Sequence, residues 1–110
     1  RMLGGASRSW LFTITVCVTL ESLGFCGRGE GPDFVKGQRT APGGDFPMNT
    51  SGGGLSYTHS GMYGMFLLVE AVRQLRGEAG ERQLDECKTV LVNGTGGMLS
   101  STGTTILAVD

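Results

Sequence analysis

The residue with the clearest capacity for acid–base chemistry is His59, the only histidine among 110 residues. It follows three consecutive glycines at positions 52–54 and comes directly before a helical pattern. The positive end of a helix disfavours imidazolium there and so favours the neutral imidazole. A neutral imidazole can accept a proton or donate a hydrogen bond to an oxyanion. The alternative is a solvated loop histidine with no chemical role.

Tyrosines and cysteines are the other candidates for chemistry. Tyr57 and Tyr63 flank the histidine, where a phenol either donates to a substrate oxygen or packs half-buried. The three cysteines, Cys17, Cys26 and Cys87, cannot all pair with one another, and no two have C-x-x-C spacing. With a single histidine they do not form a zinc site, so we expect no bound metal. We expect the thiols to be free, in a reducing compartment. Cys26 is either a nucleophile or a small buried hydrophobe.

Composition limits the possible classes of protein. Charged residues make up 17% of the chain and the net charge is −1, so a nucleic-acid partner is not expected. Glycine accounts for 20 residues, grouped between apolar runs, which is typical of tight turns and close backbone approaches in an ordered fold. A chain of this length forms one domain at most.

The uncharged run at residues 10–20 has the length of a signal-peptide core and is too short to span a bilayer. A bulky Phe25 stands directly before Cys26, where a cleavage site requires a small residue. We therefore expect a cytoplasmic protein with no membrane span, or one of a peroxisomal or other organelle matrix in a eukaryote.

The elements that must position His59 follow from periodicity. Residues 61–76 predict a helix that ends at Gly77. Its expected buried stripe comprises Met62, Met65, Phe66, Val69 and Val72, with Glu70, Arg73 and Gln74 on the opposite face.

The rest of the chain predicts an α/β layout. Residues 12–23 fit a strand by propensity and a helix by spacing, and periodicity does not decide between them. Residues 24–54 read as irregular and turn-rich. Residues 87–92 and 104–109 predict two short buried strands joined by the glycine-rich "NGTGGMLSSTG".

Two stretches carry a family resemblance. "FTITVCVTLESLGFCGRGEG" and "GGGLSYTHSGMYGM", together with "VNGTGGM", resemble the C-terminal domain of the thiolase family, in particular its sterol-carrier-like, lipid-transfer branch. The resemblance covers residues 12–110 and leaves 1–11 as an unmatched lead segment. It implies the C-terminal half of a thiolase-like fold, with helices packed on a small mixed sheet and a helix at residues 12–23.

The resemblance also implies acyl transfer on coenzyme A thioesters. His59 matches the histidine that activates a nucleophilic cysteine and helps bind an oxyanion. Asn93 stands where the family places a proton-moving cysteine or histidine, and the backbone N–H of Thr95 matches an oxyanion donor. Gly53, Gly54, Tyr57 and Gly96 are expected near the substrate, which is a coenzyme A thioester, with no permanently bound cofactor.

Departures from the family pattern limit what the chain is expected to do alone. Ser60 replaces a proline, and Asn93 cannot act as an acid or base near neutral pH, although it can form hydrogen bonds. Asn93 could alternatively serve a strand-end turn, where asparagine tolerates left-handed backbone. The nucleophilic cysteine of the family belongs to an N-terminal domain that is not in this sequence. We therefore expect a truncated piece or a separately encoded remnant, inactive without that domain.

Two classes of function remain open at this point. One is enzymatic: a thiolase-type acyltransferase part that works with an N-terminal thiolase domain in a homo-oligomer, or a related aldolase subunit that uses Tyr57 or Tyr63. The other is a non-catalytic fragment that binds acyl-CoA or a protein.

Overall fold

The computed structural model describes residues 2–5, 13–41, 43–52, 61–96 and 100–110. Within them the chain forms a mixed three-stranded sheet with the order β1-β2-β3. Strand β1 (Met2–Gly5) runs parallel to β2 (Thr89–Gly96), and β2 runs antiparallel to β3 (Ser101–Ala108). The expected small mixed sheet of an α/β fold is confirmed. Strand β1 lies in the segment that the sequence left unmatched.

Helix α1 spans Thr13–Ser22, so the choice between strand and helix there is settled in favour of the helix. It is followed by a short helix α2 (Gly31–Phe34) and a 3₁₀ turn (Lys36–Gln38). The segment between α1 and residue 52 is otherwise turn-rich, as predicted, and glycines with positive φ at positions 24, 29, 37 and 43 shape its turns. No helix among the described residues is long and apolar enough to cross a membrane.

Helix α3 spans Tyr63–Arg76 and confirms the predicted helix at 61–76. Gly77 ends it with φ 72° in the left-handed region, and the N–H of Glu78 reaches the carbonyl of Arg73 at 2.8 Å. A further 3₁₀ turn, Gly80–Arg82, follows before β2.

The prediction of which face α3 buries was wrong. Its buried residues are Tyr63, Leu67, Glu70, Ala71 and Gln74. Most of the predicted stripe faces solvent, with Met62 63%, Met65 60%, Val69 47% and Val72 37% exposed, while Phe66 is half-buried against the core. The face that packs on the sheet is the one where Tyr63, Leu67 and Ala71 meet Val90 and Val92 of β2. Glu70 and Gln74 tolerate burial because both are hydrogen-bonded.

The two C-terminal strands are longer than predicted. Strand β2 begins at Thr89 and runs through Gly96, and β3 begins at Ser101, so most of the expected glycine-rich connection is strand. The paired residues include Asn93 with Thr104 and Gly94 with Gly103. Strand β2 is buried from Val90 to Asn93, but β3 is almost entirely exposed, which contradicts the prediction of two buried strands.

Candidate functional site

The site residues suggested by the sequence divide into two groups. Asn93, Thr95 and Gly96 lie in β2. His59, Gly53, Gly54 and Tyr57 lie outside the residues that the structure describes. Their roles stay predictions, but the chain on both sides of them is placed.

The segment that leads into the glycine run is anchored to α3. The hydroxyl of Thr50 donates to Oε1 of Glu70 at 2.8 Å. The same carboxylate accepts from Nε2 of Gln74 at 3.2 Å and forms an ion pair with Nη2 of Arg82 at 2.9 Å. Burial by itself raises the pKa of Glu70, but these hydrogen bonds and the charge of Arg82 outweigh burial and lower it. Glu70 is therefore ionised near neutral pH.

The start of α3 lies against β2 beside Asn93. A Cβ placed on Gly94 would come within 4.0 Å of the Cα of Gly64, so the two backbones approach closely at this point. Gly64 is the second residue of α3, and Gly94 directly follows Asn93. The sheet thus holds the helix start that follows the histidine segment within a few ångströms of the residue next to Asn93.

Asn93 is held in one orientation. It is 3% exposed, and its Oδ1 accepts hydrogen bonds from Oγ1 of Thr104 at 2.7 Å and Oγ1 of Thr102 at 3.1 Å. The hydroxyl of Thr102 also lies 3.1 Å from the carbonyl oxygen of Gly94. All the hydrogen bonds that the Asn93 side chain makes with described residues use Oδ1. These two hydrogen bonds to Oδ1 fix the side-chain amide, and its nitrogen keeps two hydrogens that it can donate.

The alternative role for Asn93, a left-handed turn, is wrong. Among the described non-glycine residues positive φ occurs at Gln38 and Asn49. Asn93 lies in regular β2 and pairs with Thr104. Thr95 and Gly96 continue this strand opposite Thr102 and Ser101, and a Cβ on Gly96 would lie 3.0 Å from Oγ of Ser101. The part of Thr95 as an oxyanion donor stays a prediction.

A cavity of about 440 Å³ opens between α1 and the β2–β3 hairpin. Asn93, Thr102 and Thr104 form one wall. The α1 side contributes the apolar side chains of Ile14, Val18 and Leu23, together with Thr15, Thr19 and Ser22. The cavity thus joins a fixed amide to an apolar surface, which is the usual composition of a ligand pocket. Sequence reasoning missed the α1 wall, because the helix that the resemblance implied at residues 12–23 carries no local signal that it lies opposite the β2–β3 hairpin.

Tyr63 was predicted either to donate to a substrate oxygen or to pack half-buried, and it is 1% exposed. Its ring packs in the core and makes an edge contact with Phe66, with centroids 6.1 Å apart. Its hydroxyl is buried and has no hydrogen-bond partner in the described part of the chain. Tyr63 is not among the described residues that line the cavity, so a role as the base of an aldolase would need a different route to the substrate.

The cysteines do not add a nucleophile to the site. Partial desolvation, followed by the Glu21 and Glu30 carboxylates, raises the pKa of the Cys26 thiol. A thiol with a raised pKa is mostly protonated and reacts slowly near neutral pH, so the nucleophile alternative for Cys26 is disfavoured. Cys17 is buried in α1. In the described ranges no three His, Cys, Asp or Glu side chains are grouped to hold a metal ion.

Comparison with known proteins shows which family the chain resembles. A family model described as thiolase C-terminal domain-like matches residues 10–109. The 17-hydroxy-3-oxo-4-pregnene-20-carboxyl-CoA lyase of Mycobacterium tuberculosis is 46% identical over 66 residues, which cover 60% of this chain and 17% of that protein. The acetyl-CoA acetyltransferase of Methanothermobacter thermautotrophicus is 40% identical over 90 residues, which cover 78% and 24%.

A solved structure shares the fold. The chain matches the structure titled Ltp2-ChsH2(DUF35) aldolase with a TM-score of 0.72 and 34% identity, over 97% of this chain and 26% of that one. The sequence thus spans about a sixth to a quarter of the length of the proteins it matches. The resemblance to the thiolase C-terminal domain is confirmed.

Proposed function

Because the chain belongs to the thiolase C-terminal domain-like family, we propose that it supplies part of the active site of an enzyme that cleaves a carbon–carbon bond in a coenzyme A thioester by aldolase chemistry. The observation that carries this proposal is the fixed, neutral amide of Asn93 at the wall of the cavity. Similarity to a protein named a lyase and to a structure titled an aldolase supports it.

A retro-aldol cleavage needs one base and one group of hydrogen-bond donors. The base removes the proton of the β-hydroxyl group, the Cα–Cβ bond breaks as the β-carbon becomes a carbonyl, and the electron pair moves into the thioester as an enolate. The enolate then takes up a proton. Donors that face the thioester oxygen stabilise its developing charge. Asn93 can donate through its nitrogen, and His59 is the only imidazole in the chain to serve as the base.

Thiolase chemistry requires more acid–base groups in this part of the site than the retro-aldol cleavage does. It needs one group to activate the nucleophilic cysteine and a second to move the α-proton. An amide at position 93 cannot be the second group, because it neither gains nor loses a proton near neutral pH. The hydroxyls of Thr102 and Thr104 donate hydrogen bonds to Oδ1 of Asn93, which fits a role for Asn93 as a positioned hydrogen-bonding group.

The substrate and partners belong to the same proposal. The substrate is a coenzyme A thioester, and the chain works with an N-terminal thiolase domain, either in one polypeptide or as a separate subunit, in a homo-oligomer. The name Ltp2-ChsH2(DUF35) joins two components in that aldolase, which favours the multi-subunit form of the proposal. We place the protein in the cytoplasm or in an organelle matrix.

The test joins this chain to the N-terminal part of the Methanothermobacter relative and supplies a 3-hydroxyacyl-CoA. Chromatography should show a carbonyl product and a shorter acyl-CoA. His59→Ala should abolish the cleavage. Thr104→Val, which releases Oδ1 of Asn93 from its closest partner, should lower kcat by about tenfold or more, since loss of an oxyanion donor costs roughly 10²- to 10³-fold. Thr105→Val is the matched control, because Thr105 is the exposed neighbour that pairs with Val92. Cleavage that survives His59→Ala would refute the proposed base.

Acyl transfer is the second candidate. The 40% identity to an acetyl-CoA acetyltransferase favours it, and so does the motif around His59. In the same chimera Asn93→His should then raise condensation by about 10²- to 10⁴-fold, the usual contribution of a general base. Thiolysis of acetoacetyl-CoA without any 3-hydroxyacyl-CoA cleavage would decide for this candidate.

A further inference from the structure

Strand β3 is an open edge of the sheet. In the order β1-β2-β3 it has β2 on one side and no further strand among the described residues on the other. That side presents backbone N–H and C=O groups with which another strand can pair. We infer that β3 pairs with β3 of a second copy of this chain, antiparallel and edge to edge, so that the two sheets join. This assigns a surface to the homo-oligomer proposed above and does not depend on the reaction.

Strand β3 has none of the usual features that protect an open edge. Protected edges are short, charged, interrupted by proline, distorted by a bulge or covered by another segment. Strand β3 is eight residues long, and its register with β2 is regular from Ser101 to Ala108. Residues 89–109 contain neither a charged residue nor a proline, and every residue of β3 except Leu107 is exposed. The opposite edge differs, because β1 has only four residues. These properties favour β3 as the edge that accepts a strand.

The composition of β3 favours a second copy as its partner. An uncharged edge offers no ion pair to a charged strand, whereas two copies of β3 meet without like-charge repulsion. A two-fold axis perpendicular to the sheet makes the two strands antiparallel and satisfies both open edges at once.

Symmetry also limits the register of this pair. The axis keeps each face of the sheet on its own side, so it must pass through a residue and not between two residues. The midpoint of β3 lies between Thr104 and Thr105, and full overlap therefore puts the axis at one of these two threonines. Threonine then faces threonine across the axis in both registers, which is a favourable cross-strand pair.

The pairing covers apolar surface and restrains the candidate site. Ile106 is 56% exposed, and in the two registers it stands opposite Thr102 or Thr104 of the other copy, so part of its surface leaves water. A strand that is bonded on both sides opens less often than a free edge. The second copy therefore also steadies the two threonine hydroxyls that donate to Oδ1 of Asn93.

Hydrogen exchange of the natural chain, followed by NMR at about 50 μM and about 1 mM, tests the pairing directly. One strand pair of about 26 Å forms an interface below the roughly 1,200 Å² of standard complexes, so the dimer should be weak and should form within this range. The N–H groups of alternate residues in β3 should exchange about tenfold more slowly at the higher concentration. Those of α2 should not change. Exchange in β3 that does not depend on concentration would overturn the pairing.

Variants of Thr105 give the residue-level test in sedimentation velocity. Thr105→Lys brings two like charges together near the axis and should lower the dimer association constant by about tenfold or more. Thr105→Val is the matched control, because it keeps an uncharged β-branched residue and should leave the dimer intact. Both are made in the Met65→Gln, Val69→Thr variant, so that the exposed apolar side of α3 does not contribute.

Three outcomes would overturn the pairing. One is a monomer at about 1 mM, and another is an equal effect of Thr105→Lys and Thr105→Val with unchanged far-UV circular dichroism spectra. The third is slow exchange in β3 that appears only after an N-terminal thiolase domain is added, which would assign the edge to a strand of that domain.

Discussion

Replacing Glu70 by glutamine should destabilise the fold by about 1.5–2 kcal/mol, because the change removes one charge-assisted hydrogen bond from a buried group. Glu70 is 9% exposed, and its Oε2 accepts from Nη2 of Arg82 at 2.9 Å. Glutamine keeps an oxygen for Thr50 and Gln74 but turns an N–H₂ group toward the guanidinium. Hydrogen bonds to charged groups contribute about 1.5–3 kcal/mol each, and the lower end applies because the Arg82 side chain is 43% exposed and can return to water.

The pH dependence gives a second measurement of the same group. The pKa of Glu70 is lowered in the native state. The contribution of the ionised carboxylate to the free energy of unfolding is therefore fully present at pH values above about 4.3, the ordinary pKa of glutamate, and is lost as the pH falls through the native pKa. Protonated glutamate resembles glutamine. The difference in the free energy of unfolding between the natural chain and Glu70→Gln should therefore be full at pH 7 and should close as pH falls below about 4.

Urea unfolding followed by far-UV circular dichroism measures both effects. Asp45→Asn is the matched control, because it removes the carboxylate of an exposed ion pair with Arg39, whose side chains are 41% and 60% exposed. That change should cost less than about 1 kcal/mol. If Glu70→Gln costs no more than the control, or if its effect is unchanged at pH 3, the carboxylate does not stabilise α3 in the way described.

Three further predictions concern packing. Gly31→Ala should destabilise the chain by about 1–3 kcal/mol in urea unfolding, because the new Cβ would lie 2.7 Å from the Cβ of Cys17; a neutral effect would show that α2 can move. Tyr63→Phe should stabilise the chain by about 1 kcal/mol in the same assay, because it removes a buried hydroxyl without a described partner; a loss of stability would reveal a partner outside the described residues. The pair Met65→Gln and Val69→Thr should lower self-association in sedimentation velocity, because these side chains are 60% and 47% exposed and apolar; equal sedimentation would place any association elsewhere.

Local signals predicted the extent of α3 well. Its helical spacing and the glycine at position 77 depend on neighbours in sequence, and the structure ends the helix there with the expected left-handed residue. Which face is buried depends on distant residues instead. Glu70 and Gln74 turn inward because Thr50 and Arg82, 20 and 12 residues from Glu70, satisfy them. A hydrophobicity pattern does not contain that information.

The hairpin shows a similar limit. Glycine is depleted from strands, so "NGTGG" predicted a loop. Gly94 lies in β2 nonetheless, and a Cβ placed there would be in ordinary van der Waals contact with the Cα of Gly64 in α3. The resemblance predicted Gly96 near the substrate, which stays a prediction, and the strand pairing that places Gly96 opposite Ser101 follows from the tertiary structure.

Asn93 could be located by resemblance, but its hydrogen bonds could not. Thr102 and Thr104 are 9 and 11 residues away, and they reach Oδ1 only through the β2–β3 register that pairs Asn93 with Thr104. Side chains alternate between the two faces of a strand, so a register shift of one residue would direct Asn93 to the opposite face from its threonine partners. The orientation of the Asn93 side chain therefore depends on the pairing of two strands as much as on the identity of residue 93.

The same register links the site to the core. Val90 and Val92 of β2 pack against α3, and Gly94 lies beside Gly64 at the start of that helix, so the helix position depends on β2 as well. Any shift that released Asn93 would also separate Gly94 from Gly64 and disturb the start of α3. Strand β2 thus sets both the orientation of the Asn93 amide and the position of α3. For this reason the Asn93 side chain is held in place although β3 is almost fully exposed.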